Sequence, residues 1–303
     1  MTPAQYAANF WSLRVFLTDK AVGDAPAAVP MALPDPKHPL AKPARPLEPG
    51  RWNNFKVDRY RLRPSGYAQY LAQALRNQFA IGVRVINLDG SIGTYSVSPV
   101  DIAYSVVAPF GGKGYPEECQ MVLQLWDRYG IPNASLSTLI SSAGIGLDCN
   151  GFVGGYIDRR RSPGSWMRGS DSGKTGYLIR DLVGGAGGYL GSWEDLRPPG
   201  AECLIMGMCD AAGVLSDHGP DGSTGHIVIT EPGSLAKAAT TGPVSVDVVE
   251  STGPIGAVGL QRSSYRILSM TLDGSKKGIF RVQRGSKLGT PLEHAHFRIT
   301  RLA

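Results

Sequence analysis

Apolar positions along this 303-residue chain fall at helical spacing in its first half and alternate in its second. Tyr67, Tyr70, Leu71, Ala74 and Leu75 stand at i, i+3, i+4, i+7 and i+8, which places them on one helix face. Ile81, Val83 and Val85 then alternate, and Asp89-Gly90 signals a hairpin turn before Ile92 to Val97. Pro116 to Tyr129 predicts the best helix. Pro116 suits the first turn, Glu117 and Glu118 complement the dipole, and Gly130 supplies the stop. Cys119, Val122, Leu123 and Trp126 form its apolar stripe, so Cys119 is assigned to the core. A second helix is predicted from Asn150 to Arg160, where Gly151, Gly154 and Gly155 weaken helix propensity but permit close approach to a sheet. Strands follow at Glu202 to Met208, His226 to Glu231, Val244 to Glu250, Tyr265 to Thr271, Ile279 to Val282 and His296 to Arg301. Turns at Pro232-Gly233, Gly253-Pro254 and Asp273-Gly274 separate them. Helices first and antiparallel strands afterwards is an α+β order, helices packed on an antiparallel sheet.

Punctuation divides the chain further. Ala25 to Gly50 holds eight of the 22 prolines, so residues 1–50 read as a Pro-rich N-terminal arm. Within it, the stretch from Phe10 to Leu17 is too apolar for a free tail and is expected to dock on the body. Residues 51–110 form an adjunct helix and β-hairpin region in which nothing looks catalytic, and residues 111–303 form the main domain. Ser162 to Trp193 is a Gly- and Ser-rich insertion. Its Ser172-Gly-Lys-Thr175 is half a phosphate-binding loop, but Arg168 stands where the first glycine is required and no strand precedes it.

A hydrophobic fraction of 42% and a charged fraction of 18% describe a soluble globular chain. The net charge of +6 suits an anionic polymer or surface. Arg159-Arg160-Arg161 is the densest basic cluster, too short to indicate specific nucleic-acid binding. No apolar run reaches transmembrane length, and no signal peptide is legible at the N-terminus. The chain is therefore expected to be cytoplasmic as synthesised. Cys119, Cys149, Cys203 and Cys209 show no paired or metal-ligand spacing with the five histidines, so no metal or cofactor is expected. The oligomeric state is not legible.

The candidate chemistry centres on Gly144-Ile-Gly-Leu-Asp-Cys149-Asn-Gly. A cysteine where a glycine-rich loop opens a helix faces the positive end of the helix dipole, which favours the thiolate. A thiol nucleophile needs a base, and the base needs a third group to fix its tautomer. His226 opens a strand after a glycine, and Glu250 ends the next strand on the parity of Val244, Val246 and Val248. His218, in a loop, is the competing base. His294 and His296 read as strand residues, and Cys203 and Cys209 as core thiols. Asp148 reads as a loop-fixing acceptor.

Asp148-Cys149-Asn-Gly-Phe-Val resembles the cysteine motif of NlpC-type hydrolases, the papain-like peptidoglycan endopeptidases and amidases. Leu196-Arg-Pro-Pro-Gly200, Gly225-His226-Ile-Val-Ile and Val249-Glu250-Ser resemble that family's later motifs, in family order, over roughly Pro116 to Ala303. Ala201 stands where the family carries an acidic residue, and Ser137 to Ser142 occupies the place of its Tyr-x-x-Gly-Gly element. The resemblance implies a papain-like fold with an N-terminal extension. It implies Cys149 as nucleophile, its backbone N–H in an oxyanion hole, His226 as base and then acid, and Glu250 as orienter. Asp148, Asn150 and Ser142 would support substrate and oxyanion. The implied reaction is cleavage of amide bonds in peptidoglycan stem peptides through a thioester. Reaching the wall would take a phage, a secretion apparatus or lysis. An intracellular amidase, deamidase or acyltransferase on a protein or lipid is the alternative, and a catalytically silent binding module of the same fold is a third reading.

Overall fold

The computed structural model describes residues 1–18, 49–61, 66–75, 81–97, 105–130, 135–141, 144–162, 179–184, 188–197, 203–215, 225–234, 243–253, 259–284 and 294–302. Most of the Pro-rich arm, most of the 162–193 insertion, Ser142 and His218 lie outside the described residues.

Six strands follow the alternation of the second half: β5 (Cys203–Cys209), β6 (Ile227–Thr230), β7 (Val244–Thr252), β8 (Gly259–Leu272), β9 (Gly278–Gln283) and β10 (His294–Leu302). They close into an antiparallel barrel in the order β10-β5-β6-β7-β8-β9. This corrects the expected papain-like arrangement of helices on an antiparallel sheet. The closing element is β10, whose Phe297 lies opposite Met208 of β5 on one side and Phe280 of β9 on the other. Pairing both neighbours leaves no free edge at that seam. The long strand β8 changes register against β9 between Ile267 and Ser269, a bulge of the kind that bends a sheet towards closure.

Alternation then sorts the side chains. Met206, Val228, Val246, Val248, Tyr265 and Phe280 belong to the buried cluster that fills the barrel. Neighbours of opposite parity, Ile205, Ile227, Ile229 and Val249, belong to the second cluster, under the helices.

The helices among the described residues are α1 (Pro3–Trp11), α2 (Gly66–Leu75), α3 (Val107–Phe110), α4 (Pro116–Tyr129), α5 (Leu136–Ser141), α6 (Cys149–Arg161) and α7 (Ile179–Gly184). Helix α6 packs on β6 and β7. Helix α1 starts in a capping box between Thr2 and Gln5. Its Tyr6 ring sits 5.6 Å from Phe152 and 5.9 Å from Tyr156 of α6. The expected docking of the N-terminal apolar stretch is therefore observed, through Phe10 and then β1 (Leu13–Thr18), which pairs with β2 (Gly50–Phe55). Arg159 of α6 reaches Glu117 of α4 at 2.6 Å, both fully buried.

The hairpin of β3 (Ile81–Ile86) and β4 (Ile92–Val97) turns at Asp89-Gly90, with Gly90 at φ +83°. Its inner edge is paired by side chains. Gln120 bonds both the N–H and C=O of Ile86 at 2.8 Å, and Gln124 does the same for Arg84 at 3.1 and 2.7 Å. Two glutamines one turn apart on α4 thus stand in for a neighbouring strand. Among the described residues, no helix is long and apolar enough to cross a membrane.

Candidate active site

The loop that delivers Cys149 is held from three sides. Leu147 N–H donates to Arg59 C=O at 2.9 Å, Leu147 C=O accepts from Arg61 N–H at 3.0 Å, and Asp148 N–H donates to Gly112 C=O at 3.0 Å. Ser251, one residue beyond Glu250, donates its hydroxyl to Leu147 C=O at 2.7 Å, which ties the loop to β7. Asp148 is the N-cap of α6, accepting from Gly151 N–H at 2.5 Å. Lys113 grips both of its carboxylate oxygens, at 2.8 and 2.6 Å. The expected loop-fixing role of Asp148 is the geometry found. Gly151 is required here because a Cβ would lie 1.9 Å from the Gly112 carbonyl oxygen. That glycine makes room for the Gly112 loop, not for the sheet that the sequence suggested.

Cys149 begins α6 and is 5% exposed. Its Sγ donates to Asn150 Oδ1 at 3.5 Å. Burial first, and then the neighbouring Asp148 carboxylate, push the thiol up to about 12. The backbone N–H groups of Ile227 and Asn150 and the Lys113 charge act in the opposite direction without prevailing. The sequence expectation of a thiolate favoured by the helix terminus is therefore corrected: the sulfur rests as a thiol. The Ile227 contact has a second meaning, because it brings the sulfur to the residue directly after His226.

His226 is buried, and its Nε2 lies 2.8 Å from Glu250 Oε2. The other ring nitrogen, Nδ1, is turned away from Glu250. The same carboxylate oxygen accepts from Tyr265 Oη at 2.6 Å, and Oε1 accepts from Gln261 Nε2 at 3.3 Å. Arg284 donates from Nε to Tyr265 Oη at 3.0 Å, and from Nη2 to Thr252 Oγ1 at 3.3 Å. The same nitrogen stands 3.7 Å from Glu250 Oε2. Burial alone would raise the Glu250 carboxyl, but His226, Arg284 and Ser263 outweigh it and hold the group well below the usual carboxylate range. Burial, then the Arg284 charge, lower His226 against the pull of Glu250, so the imidazole is neutral at pH 7.

Strand parity explains how these groups meet. His226 shares a face with Val228, Glu250 with Val248, Tyr265 with Ile267 and Arg284 with Val282. All four point along the barrel's inner face at one end, where the apolar filling stops and a buried polar cluster takes over. Cys149 comes to the same end from outside, on α6.

Of the residues expected from sequence, the structure pairs His226 with Glu250 and sets Asp148, Cys149 and Asn150 together at the start of α6, with Cys149 beside Ile227; among the described residues Cys149 and His226 share no hydrogen bond. Cys119, Cys203 and Cys209 are buried free thiols, as their apolar settings implied. His296 sits on β10, paired with Cys209 and Arg281. Sequence reasoning missed Lys113, Gln261, Tyr265 and Arg284. It also dismissed the 51–110 stretch, from which Tyr60 pairs with Leu147 beside Asp148 and Cys149. Burial, then Cys149 and Asp148, raise its phenol, and its ring lies against Gly253, where a Cβ would be 3.3 Å away. The only signal available for Arg284 was its parity with Phe280 and Val282, which has meaning only once the barrel is closed.

Comparison with known proteins gave no match: no family model fits the chain, and no curated protein and no solved structure is similar to it.

Proposed function

We propose that the protein is a cysteine hydrolase of amide bonds, with Cys149 as nucleophile, His226 as base and Glu250 as orienter. The observation that carries this reading is the buried 2.8 Å bond from His226 Nε2 to Glu250. It fixes one tautomer and leaves Nδ1 to take the thiol proton as Sγ attacks a carbonyl carbon. The Cys149 N–H is a first-turn helix donor, and among the described residues it has no acceptor, so it can receive the developing oxyanion. His226 would then return the proton to the leaving amine, and water would hydrolyse the thioester. Peptide-like amides are the substrate class, with peptidoglycan stem peptides the first choice on the strength of the Asp148-Cys149-Asn150-Gly151 motif.

One observation favours a second reading, a silent binding module: Cys149 is nearly covered and its thiol is pushed up to about 12. Two measurements separate them. A hydrolase releases new amine termini from peptidoglycan fragments or model peptide amides, and Cys149→Ala abolishes the release. A thiol-reactive probe also labels Cys149 faster than Cys119, since His226 can remove its proton. Equal labelling of the two cysteines, with no cleavage of any amide offered, leaves the binding module.

A further inference from the structure

We propose that Arg284 is a positioning residue for His226: through Tyr265 and Glu250 it keeps the imidazole a neutral base. The inference rests on reading Cys149 and His226 as a nucleophile–base pair. A buried carboxylate beside an imidazole ordinarily favours imidazolium, because the two opposite charges attract strongly out of water. Here the carboxylate is already engaged. Its Oε2 accepts from Tyr265 at 2.6 Å and faces the Arg284 guanidinium at 3.7 Å, while Arg284 Nε also holds the Tyr265 hydroxyl at 3.0 Å. Arginine does not lose its proton in proteins, so this positive charge is permanent.

Glu250 and Arg284 together present His226 with a pair of no net charge. A proton on the imidazole would add a second cation to one carboxylate. The hydrogen bond to Nε2 survives, so orientation is kept while imidazolium is disfavoured. The other titratable groups at this end of the barrel do not reverse this. Cys149, from α6, is an uncharged thiol, and behind it Asp148 is neutralised by Lys113 across two contacts of 2.8 and 2.6 Å. Tyr265 of β8 is an uncharged phenol whose burial raises it far above its ordinary value. The consequence for chemistry is specific. The pair rests as thiol and imidazole, and the proton moves only as sulfur attacks, in the manner of a serine hydrolase and not of a preformed thiolate–imidazolium pair.

Histidine-labelled full-length protein, titrated by NMR, tests this without needing a substrate; His226→Gln assigns the resonance among the five histidines. Wild type should titrate below about 6.5. Arg284→Met should move the His226 midpoint upward by about one unit, roughly a tenfold gain in proton affinity. Arg284→Lys, which keeps the charge, should stay with wild type. Arg284→Gln is the second neutral variant, used if Arg284→Met does not fold, and it should shift in the same direction. A His226 midpoint that is the same in wild type and neutral variant overturns the proposal, as does a ring that stays unprotonated to the acid unfolding point in both. The readout is independent of turnover, so absence of amide cleavage would remove the hydrolase reading and leave this result standing.

Discussion

Glu250 Oε2 accepts from His226 and from Tyr265 at 2.8 and 2.6 Å, so a single oxygen holds the imidazole and ties it to the Arg284 end of the cluster. Glu250→Gln keeps the shape and removes the charge. In the proposed reaction it should lower turnover on the order of 10²–10⁴-fold, because an amide can hold the wrong tautomer. It should also destabilise the fold by about 3 kcal/mol, since Arg284 is left without its buried counter-charge. The pH dependence of that deficit has a definite sign. The folded-state value of Glu250 lies below the unfolded one, near 4.3, so its contribution is complete above that pH. As pH falls towards the folded value, the unfolded chain takes up a proton that the folded one refuses, and the contribution is lost. Urea midpoints of wild type and Glu250→Gln should therefore be well separated at pH 7 and converge in acid. A separation that stays constant down to pH 3 would deny Glu250 its depressed value.

At the level of elements, the start of α6 was legible and its support was not. Asp148 as cap, Cys149 as first helical residue and a helix to the arginine cluster all follow from local spacing. Lys113 and Gly112 lie 35 residues or more upstream of their partners, in a loop whose sequence carries no periodic signal. The barrel strands and the β3–β4 hairpin were legible from alternation, except the first half of β8; β1 and β2 were not read as strands. There Arg262, Ser263 and Ser264 break the apolar pattern, and pairing with Ser251 down to Asp247 supplies what the pattern lacks. The packing at the α6 start leads to a prediction. Gly151→Ala places a methyl 1.9 Å from the Gly112 carbonyl oxygen, inside any tolerable contact. The Gly112 loop must retreat, at a cost of roughly 1–3 kcal/mol for overpacking, and Lys113 retreats from Asp148 with it. Stability and Cys149 labelling rate should both change in Gly151→Ala. In Gly154→Ala, on the same helix, the labelling rate should hold. Equal behaviour of the two variants would deny the contact its role.

Across the whole molecule, the sequence reading failed at closure. Each strand shows its own alternation, but whether six of them form an open sheet or a barrel is decided by β10 meeting β5 and β9, contacts about 90 residues apart on one side. No local pattern encodes that, and with it went the shared inner face on which His226, Glu250, Tyr265 and Arg284 converge. The second cluster runs without a break from Tyr6 and Phe10 through Phe152 and Tyr156 of α6 to Ile227 and Val249 on the barrel's outer face. The N-terminal helix, the α4–hairpin layer and the barrel should therefore unfold together, and the Glu117–Arg159 pair at their junction should govern all three. Both side chains are fully buried at 2.6 Å, and burial raises Glu117 against the pull of Arg159. Arg159→Met leaves a buried carboxylate alone and should cost roughly 3–5 kcal/mol, whereas adding Glu117→Leu should recover most of that loss. Tryptophan fluorescence, which samples all five tryptophans, with Trp11 and Trp126 in the N-terminal layer and Trp193 against the barrel, and far-UV circular dichroism should give coincident transitions in wild type and both variants. An earlier transition that takes helical dichroism and part of the fluorescence, with the barrel's strand signal lost only later, would mean that the N-terminal layer unfolds on its own and that the pair does not join it to the site.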